Sequence, residues 1–594
     1  MTRRAGARWR MGRQLRLPFD AAPGLASPRR QTHRADGAST SAVEVRRTRL
    51  MVAGVLFALS FVGLGVRLVD LMVLRGGGGE PSLARSAGAR PVTAQRAPIV
   101  DRNGVLLAAN LGTASLYATP RRVLDPREAA EKLVQVLPEL DYEAVLAKLS
   151  SKRRFVWLKR KLTPRQYYAV NRLGLPGLAF REDESRVYPQ GALLAHVLGY
   201  TDVDNRGISG LEKRFDRTLR DPARGGTPLQ LSIDVRVQHV VRRQLMRAVA
   251  RFRAAAGAGL VLDVGTGEVL ALVSLPDFDP NRARGASSDS LFNRATLAVY
   301  EMGSTFKVFT LAMALEAGTA GPDRRYDTTR PIRVSRFVIR DSYPKARPLS
   351  VPEIFVYSSN IGAAKMALEV GGVRQRAFLE KLGLLRRARI ELPEVGLPLA
   401  PERWREVNTM TVAFGHGIAV SPVNMAAAVA ATVNGGVLIP TTLLKRPDGA
   451  SVEGRRVVSA RTSRIVRRLM RLVVEQGTGR RAAAPGYLIG GKTGTAEKPQ
   501  RGRYQRKALV SSFVGAFPID APRYLVLVLL DEPKGTPATR GYAGGGWTAA
   551  PVVGRIVSRI APILGVRPVD ETETEVRKAM FVDWRERGRD GAAF

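Results

Sequence analysis

One stretch of this chain is apolar enough to read as a membrane anchor, and it limits where the rest can fold. Leu50 to Val66 reads LMVAGVLFALSFVGLGV, 17 residues without a charge. A helix of that length spans about 25 Å, slightly short of a hydrocarbon core of about 30 Å. Apolar character continues as LVDLMVL to Leu74, broken by Arg67 and Asp70. Those two stand three apart on a helix, where they pair on one face or snorkel to the interface. A cleaved signal peptide has a shorter hydrophobic region and a small-x-small site behind it, so the pattern predicts an uncleaved anchor over residues 50–74. Residues 1–49 hold twelve Arg against three acids. They read as a disordered basic tail that stays in the cytoplasm by the positive-inside rule. Gly76 to Gly79 reads as a flexible tether. No second run of 18 apolar residues follows, so the remainder is expected to fold in water, outside the inner membrane.

That remainder has globular chemistry: across 594 residues, 45% are hydrophobic and 25% charged. Cysteine is absent, which excludes disulfides, zinc–thiolate and iron–sulfur sites and cysteine nucleophiles. There are four histidines and no HExxH, so a histidine-rich metal centre is not expected. The net charge of +42 invites a nucleic-acid reading, but it is spread along the chain, mostly as Arg. Without zinc-finger spacing, basic-zipper heptads or an RNP-like aromatic run, a basic surface suited to anionic lipid or polymer is the better account, and no nucleic-acid partner is expected.

Arg96–Asn110 (RAPIVDRNGVLLAAN) predicts strand, turn, strand, with Asn103-Gly104 at the turn. Residues 126–172 alternate charged and apolar positions at helical spacing, and Glu184–Asp202 reads as irregular with a short apolar helix. Near residue 228 the texture changes. An amphipathic helix starts after Asp234, its N-cap candidate, and Gly259–Ser274 predicts a hairpin bending at Gly265-Thr266-Gly267. SSFVGAFPID and Tyr524–Leu530 predict two more strands of the same sheet, and Trp547–Leu564 a closing helix. A sheet assembled from both ends of one domain follows.

Three short motifs stand in order: Ser304-Thr305-Phe306-Lys307, Ser358-Ser359-Asn360 and Lys492-Thr493-Gly494, followed by Thr495. Ser358 lies 54 residues after Ser304, and Lys492 another 134 on. These gaps leave room for a helical subdomain and a return strand. SxxK alone is weak, and the chain carries a second copy, Ser342-Tyr343-Pro344-Lys345. Its Pro344 disfavours helix at Tyr343, so Ser342 and Lys345 are not expected to share a helix face. Around Ser304 a helix start flows into an apolar helix, which brings serine and lysine to one face. The chemistry needs these residue types. A serine hydroxyl is a weak nucleophile until a base takes its proton. Lys307 is that base only if burial and a neighbouring cation, Lys492, lower its pKa. Ser358 is placed to relay a proton, and Asn360 offers both donor and acceptor to a peptide bond. On an edge strand, Lys492 to Thr495 can pair an extended peptide, with Thr493, Thr495 and Lys492 drawing its terminal carboxylate. The amides of Ser304 and Thr495 are the oxyanion-hole candidates.

With these motifs in place, the sequence resembles the class B penicillin-binding proteins, the monofunctional peptidoglycan transpeptidases. RAPIVDRNG, RVYPQGALLAHVLGY and GISGLEKRFD resemble pedestal motifs, with Ala97 where the family usually has Gly. NRATLAVYEMGSTFK, YSSNIGAAK, FGHGIAVSPVNMA and GGKTGTAEK resemble the catalytic segments, with Met302 in place of an expected proline. The likeness covers about residues 50–565. It implies a multidomain α+β/α/β chain: a single N-terminal transmembrane helix, an elongated mostly-β pedestal (75–228), and a penicillin-binding/serine β-lactamase-like transpeptidase domain (229–566) with an antiparallel sheet, flanking helices and a helical subdomain; the C-terminal end, outside the likeness, reads as a charged tail (567–594). The resemblance further implies a serine acyl-enzyme formed on Ser304, release of D-Ala, and cross-linking of peptidoglycan stem peptides. No metal or organic cofactor is implied. The implied partners are β-lactams, a SEDS-type glycan polymerase and other divisome membrane proteins. Single-anchor topology and size look like the division (septal) branch, with the elongation branch close behind. A β-lactamase or β-lactam sensor, or an inactive division scaffold, are the rival readings.

Overall fold

A computed structural model of the protein describes residues 41–69, 96–224, 226–334, 337–500, 503–571 and 573–574. It divides into two units, 1–90 and 91–594. In the first, helix α1 runs Ser41–Val69 and holds the uncharged run. The helix begins inside the stretch assigned to the tail, because Ala, Glu and Arg propagate a helix that the apolar run nucleates. Its large apolar side chains, among them Met51, Phe57, Phe61 and Val66, are exposed. Among the described residues no helix is long and apolar enough to cross a membrane. The expected continuation beyond Asp70, the tether and the tail before Ser41 lie outside the described residues.

The second unit opens with a five-stranded pedestal sheet. Its strands are β1 (Ile99–Val100), β2 (Leu106–Ala118), β3 (Val156–Leu162), β4 (Leu178–Val187) and β5 (Leu229–Gln230), in the order β3-β2-β1-β5 with β4 also on β2. Helices α2 (Pro126–Val136), α3 (Tyr142–Leu149) and α4 (Pro164–Asn171) close over a small core around Leu116, Leu133 and Leu158. The pedestal is therefore mixed α+β and not mostly β. β3 also interrupts the span read as helical: its charged trio Lys159-Arg160-Lys161 mimics a helix face, while Val156, Leu158 and Leu162 are buried. Within Glu184–Asp202 the first residues belong to β4, and the short helix is Ala195–Leu198.

The three pedestal motifs meet in one buried ionic cluster. Glu212 takes Arg96 Nε at 2.6 Å on one oxygen and Arg186 Nε at 2.7 Å on the other, and all three side chains are at most 1% exposed. Arg96 also reaches Asp216 at 2.6 Å, and Arg186 bonds the Ala97 carbonyl at 3.0 Å. The Asn103-Gly104 turn forms as expected, with Asp101 accepting from the Asn103 and Val105 amides. Asp101 also accepts from Val235 N at 3.2 Å, so this turn holds the first turn of α5 (Val235–Arg251). Asp234 caps that helix, as read from sequence.

The larger domain is built on a five-stranded antiparallel sheet, β8-β9-β10-β6-β7. Its strands are β6 (Ala256–Asp263), β7 (Val269–Leu275), β8 (Gly490–Gln500), β9 (Arg503–Phe517) and β10 (Tyr524–Asp531). Strand β10 pairs with β6, so the two ends of the domain close one sheet. The two-residue period sorts side chains to two cores. Val526, Val528 and Leu530 pack with α5 and α11 (Ala550–Ile563), while Leu525, Leu527 and Leu529 face the core that contains α6 (Lys307–Glu316). Helices α7 (Val351–Tyr357), α8 (Asn360–Val370), α9 (Pro422–Val433) and α10 (Ala460–Gln476) complete that side. Residues just beyond 566, read as charged tail, dock on the body: Val569 N bonds Gly486 O at 2.9 Å and Glu571 pairs with Arg471 at 2.7 Å.

Removing Glu212 strands two buried guanidinium groups, which costs far more than an exposed ion pair. Glu212→Ala is expected to destabilise the fold by about 3–5 kcal/mol, measured by thermal or denaturant unfolding; a loss below about 1 kcal/mol would show that the cluster does not hold the pedestal together.

Candidate active site

Two of the three motifs lie where elements meet, and the third lies within a strand. Gly303–Phe306 is a single 3-10 turn that leads into α6. Residues three apart eclipse in such a turn, which puts the side chains of Ser304 and Lys307 side by side. Gly303 has φ +54, and a side chain there would meet Thr495 O at 2.6 Å, so only glycine lets this turn press against the edge strand. A side chain at Gly415, φ +79, would in turn meet Gly303 O at 2.3 Å. Met302, in place of the expected proline, is buried and accepts from Thr305 Oγ1 at 2.8 Å; the register of Ser304 and Lys307 is undisturbed.

Ser358 ends α7 in the left-handed region, φ +61, and Ser359 starts α8. A non-glycine residue in this conformation costs of order 1–3 kcal/mol and persists where its surroundings impose it. Asp341 imposes much of it: its carboxylate accepts from Ser359 Oγ at 2.7 Å, Asn360 N at 2.6 Å and Ile361 N at 3.0 Å. Lys492 to Thr495 lie on β8, the edge strand of the sheet, as the sequence predicted.

The structure brings Ser304, Lys307, Ser358, Asn360 and Lys492 together. Lys307 Nζ lies 2.7 Å from Ser304 Oγ, 3.3 Å from Ser358 Oγ and 2.7 Å from Asn360 Oδ1. Lys492 Nζ donates to Ser358 Oγ at 2.9 Å. Both lysines are buried, at 1% and 0% exposure. Burial, then the Lys492 charge, holds the Lys307 amine well below its ordinary pKa, against the opposing pull of Asp341. Burial pushes Lys492 down to about 7. A neutral Lys307 satisfies all three contacts: its lone pair takes the Ser304 proton, and its two N–H groups serve Ser358 and Asn360.

The remaining predicted residues divide. Thr495 is exposed, and its Oγ1 accepts from Gly545 N at 3.0 Å, leaving the hydroxyl proton for a ligand. Thr493 is buried, with its hydroxyl 2.7 Å from that of Thr478. Gly494 has no room for a side chain, since Ser512 Oγ and Met302 O crowd it at 2.3 and 2.5 Å. The second SxxK lies in exposed irregular chain, with Lys345 Nζ 4.5 Å from the centre of the Tyr357 ring.

Sequence reasoning missed four neighbours. Asp341 stands beside the discarded SxxK copy, and nothing local marks it, because only a returning hairpin brings it to Ser359. Glu301, Tyr504 and His416 form a wall: Tyr504 OH donates to Glu301 Oε1 at 3.0 Å, Gly417 N donates to the same oxygen at 3.0 Å, and the His416 ring lies 5.7 Å from the Tyr504 ring. Burial raises the Glu301 carboxyl pKa. Burial, then the Lys307 charge, lowers His416 to about 4.

Comparison with known proteins identifies the family. Residues 257–558 match the penicillin binding protein transpeptidase domain, and 91–230 the penicillin-binding protein dimerisation domain. The chain is 41% identical to the probable peptidoglycan D,D-transpeptidase FtsI of Caulobacter vibrioides, over 89% of this chain and 90% of that one. It is 30% identical to the peptidoglycan D,D-transpeptidase FtsI of Escherichia coli K12, over 92% and 96%. Among solved structures, penicillin binding protein 3 of Mycobacterium tuberculosis complexed with aztreonam superposes with TM-score 0.64 at 26% identity, over 80% of this chain and 98% of that one.

For Lys307 to work as a base it must be neutral, so acylation by a labelled penicillin is expected to fall as pH drops and Lys307 gains its proton. Lys307→Met is expected to lower the acylation rate by at least 100-fold with an unchanged melting temperature. A wild-type rate in that variant would remove Lys307 from the chemistry.

Proposed function

Since this chain belongs to the penicillin-binding protein transpeptidases, we propose that Ser304 is its nucleophile, Lys307 its general base and Ser358 its proton relay in the cross-linking of peptidoglycan stem peptides. The observation that carries the reading is the buried pair of amines, one with its pKa held well below the ordinary lysine value and 2.7 Å from Ser304 Oγ, the other 2.9 Å from Ser358 Oγ. The protein is a peptidoglycan D,D-transpeptidase of the septal type. Ser304 Oγ attacks the carbonyl of the penultimate D-Ala while its proton passes to Lys307. The developing oxyanion lies against the amides of Ser304 and Thr495, a contribution of roughly 3–4 kcal/mol for each donor. The proton then travels through Ser358 to the departing nitrogen, and the last D-Ala leaves. An amine from a neighbouring stem peptide attacks the ester, gives up its proton along the same path, and restores Ser304 as the cross-link forms. Asn360 holds the donor peptide bond, and Lys492, Thr493, Gly494 and Thr495 align the donor strand and draw its carboxylate. β-Lactams acylate the same serine.

The anchor reading belongs to this proposal. The exposed apolar residues of α1 suit a lipid environment, and the Arg-rich segment before them suits the cytoplasmic side. The chain is then a single-pass protein of the inner membrane with its catalytic domain in the periplasm. A SEDS-type glycan polymerase and other divisome membrane proteins meet it through the anchor and pedestal.

Incubation of the full-length protein with pentapeptide-bearing substrate is expected to yield cross-linked dimers and free D-Ala by mass spectrometry, and Ser304→Ala is expected to abolish both these products and penicillin labelling. Persistent labelling of Ser304→Ala would refute the assignment, and rapid hydrolysis of the penicillin adduct would favour a β-lactamase. Deleting residues 1–49 is expected to leave in vitro acylation within twofold of the full chain; an intrinsic loss would contradict the topology.

A further inference from the structure

Away from the catalytic cluster lies a cavity of about 740 Å³, and none of the site residues named above lines it. Its size is that of a pocket for a small ligand or a short peptide. Its walls come from the chain after α8, from α9, and from a two-stranded ribbon that pairs Val437–Leu438 with Arg455–Arg456. Lys381, Arg386, Arg387, Arg389 and Arg455 line it against two acids, Glu380 and Glu453. Several of these groups are already committed. Arg386 pairs with Glu380 at 2.6 Å, Arg387 bonds the Val395 carbonyl, and Arg455 bonds the Lys381 carbonyl at 2.5 Å. Arg389 has no hydrogen bond or ion pair from its guanidinium among the described residues and is exposed. Half-buried Leu438 and Ile439 provide an apolar surface between the cations.

A surplus of cations around an apolar floor fits an anionic ligand with an apolar backbone rather than a neutral one. Arginine presents a planar fork that matches carboxylates two oxygens at a time. We propose that this cavity is a second, non-catalytic binding site for a carboxylate-bearing peptide, namely an uncross-linked stem peptide of the polymer on which the enzyme acts. The identity of that peptide rests on the transpeptidase reading; the preference for carboxylates rests on the cavity alone. The site also borders the far end of the nucleophile's helix: Glu316, the last residue of α6, feels the Lys381 charge and accepts from Ser459 N at 3.0 Å.

The test uses the full-length protein in detergent with Ser304 first acylated to completion by penicillin, so that the catalytic site is closed. Failure of that acylation step would count against the proposed function and not against this site. A soluble muramyl peptide with free carboxylates is then titrated by calorimetry. Saturable binding to the acylated enzyme is expected, weakened at least tenfold by 0.5 M salt. The double change Lys381→Glu with Arg389→Glu is expected to weaken it at least tenfold too, and the milder Arg389→Gln about threefold. Both variants are expected to keep penicillin acylation rates within twofold of wild type, which reports an intact fold. Binding that vanishes on acylation, that survives unchanged in Arg389→Gln, or that is retained when the peptide's carboxylates are amidated would overturn the proposal. So would preferential binding of inorganic polyphosphate.

Discussion

Two amines buried within reach of one serine hydroxyl set the terms for everything around them. Lys307 and Lys492 both approach Ser358, and like charges in a dry pocket cannot both be retained cheaply. Burial lowers the pKa of both amines, and the Lys492 charge adds to the effect on Lys307. Asp341 works against that lowering, because its charge favours protonated Lys307, yet it also ties down the turn that presents Ser358. The turn is thus held by a group whose electrostatic effect the rest of the site must overcome.

Around that pocket the fold acts as a clamp made of parts distant in sequence. Gly303 and Gly415 allow three backbone segments to press together with no side chain between them, and the edge strand completes the wall. Below, the pedestal is bound to the catalytic domain through the same turn that caps α5, since Asp101 serves its own loop and Val235 at once. Motifs that look decorative in the pedestal are therefore structural: Arg96, Arg186 and Glu212 form one charge cluster, and each would be a liability alone.

Much of this was legible in the sequence, for identifiable reasons. Strands such as Tyr524–Leu530 are short apolar runs bounded by turn residues, and Asp234 before an amphipathic stretch announces a helix start. The trio of motifs was legible from its order and spacing: the helix start read at Ser304 forms as a 3-10 turn into α6 and Lys492 lies on an edge strand, while the break between helices at Ser358 was not foreseen. The misses came where local pattern and long-range contact disagree. Lys159-Arg160-Lys161 looks helical and is a strand because β2 supplies its partner. Residues 41–49 look like a loose basic tail and extend α1 because the following run nucleates the helix. Asp341 and Glu301 carry no motif at all; their roles exist only once the hairpin and the edge strand fold back upon them.

The pairing of β6 with β10 carries a consequence for biogenesis. Ala256 must wait for Asp531 before the sheet gains its central ladder, a separation of 275 residues in a single domain. The early hairpin therefore has one backbone edge unpaired until nearly the whole domain has been made. A chain that stops short of that last strand keeps the β6 edge open, with no ladder to close the sheet.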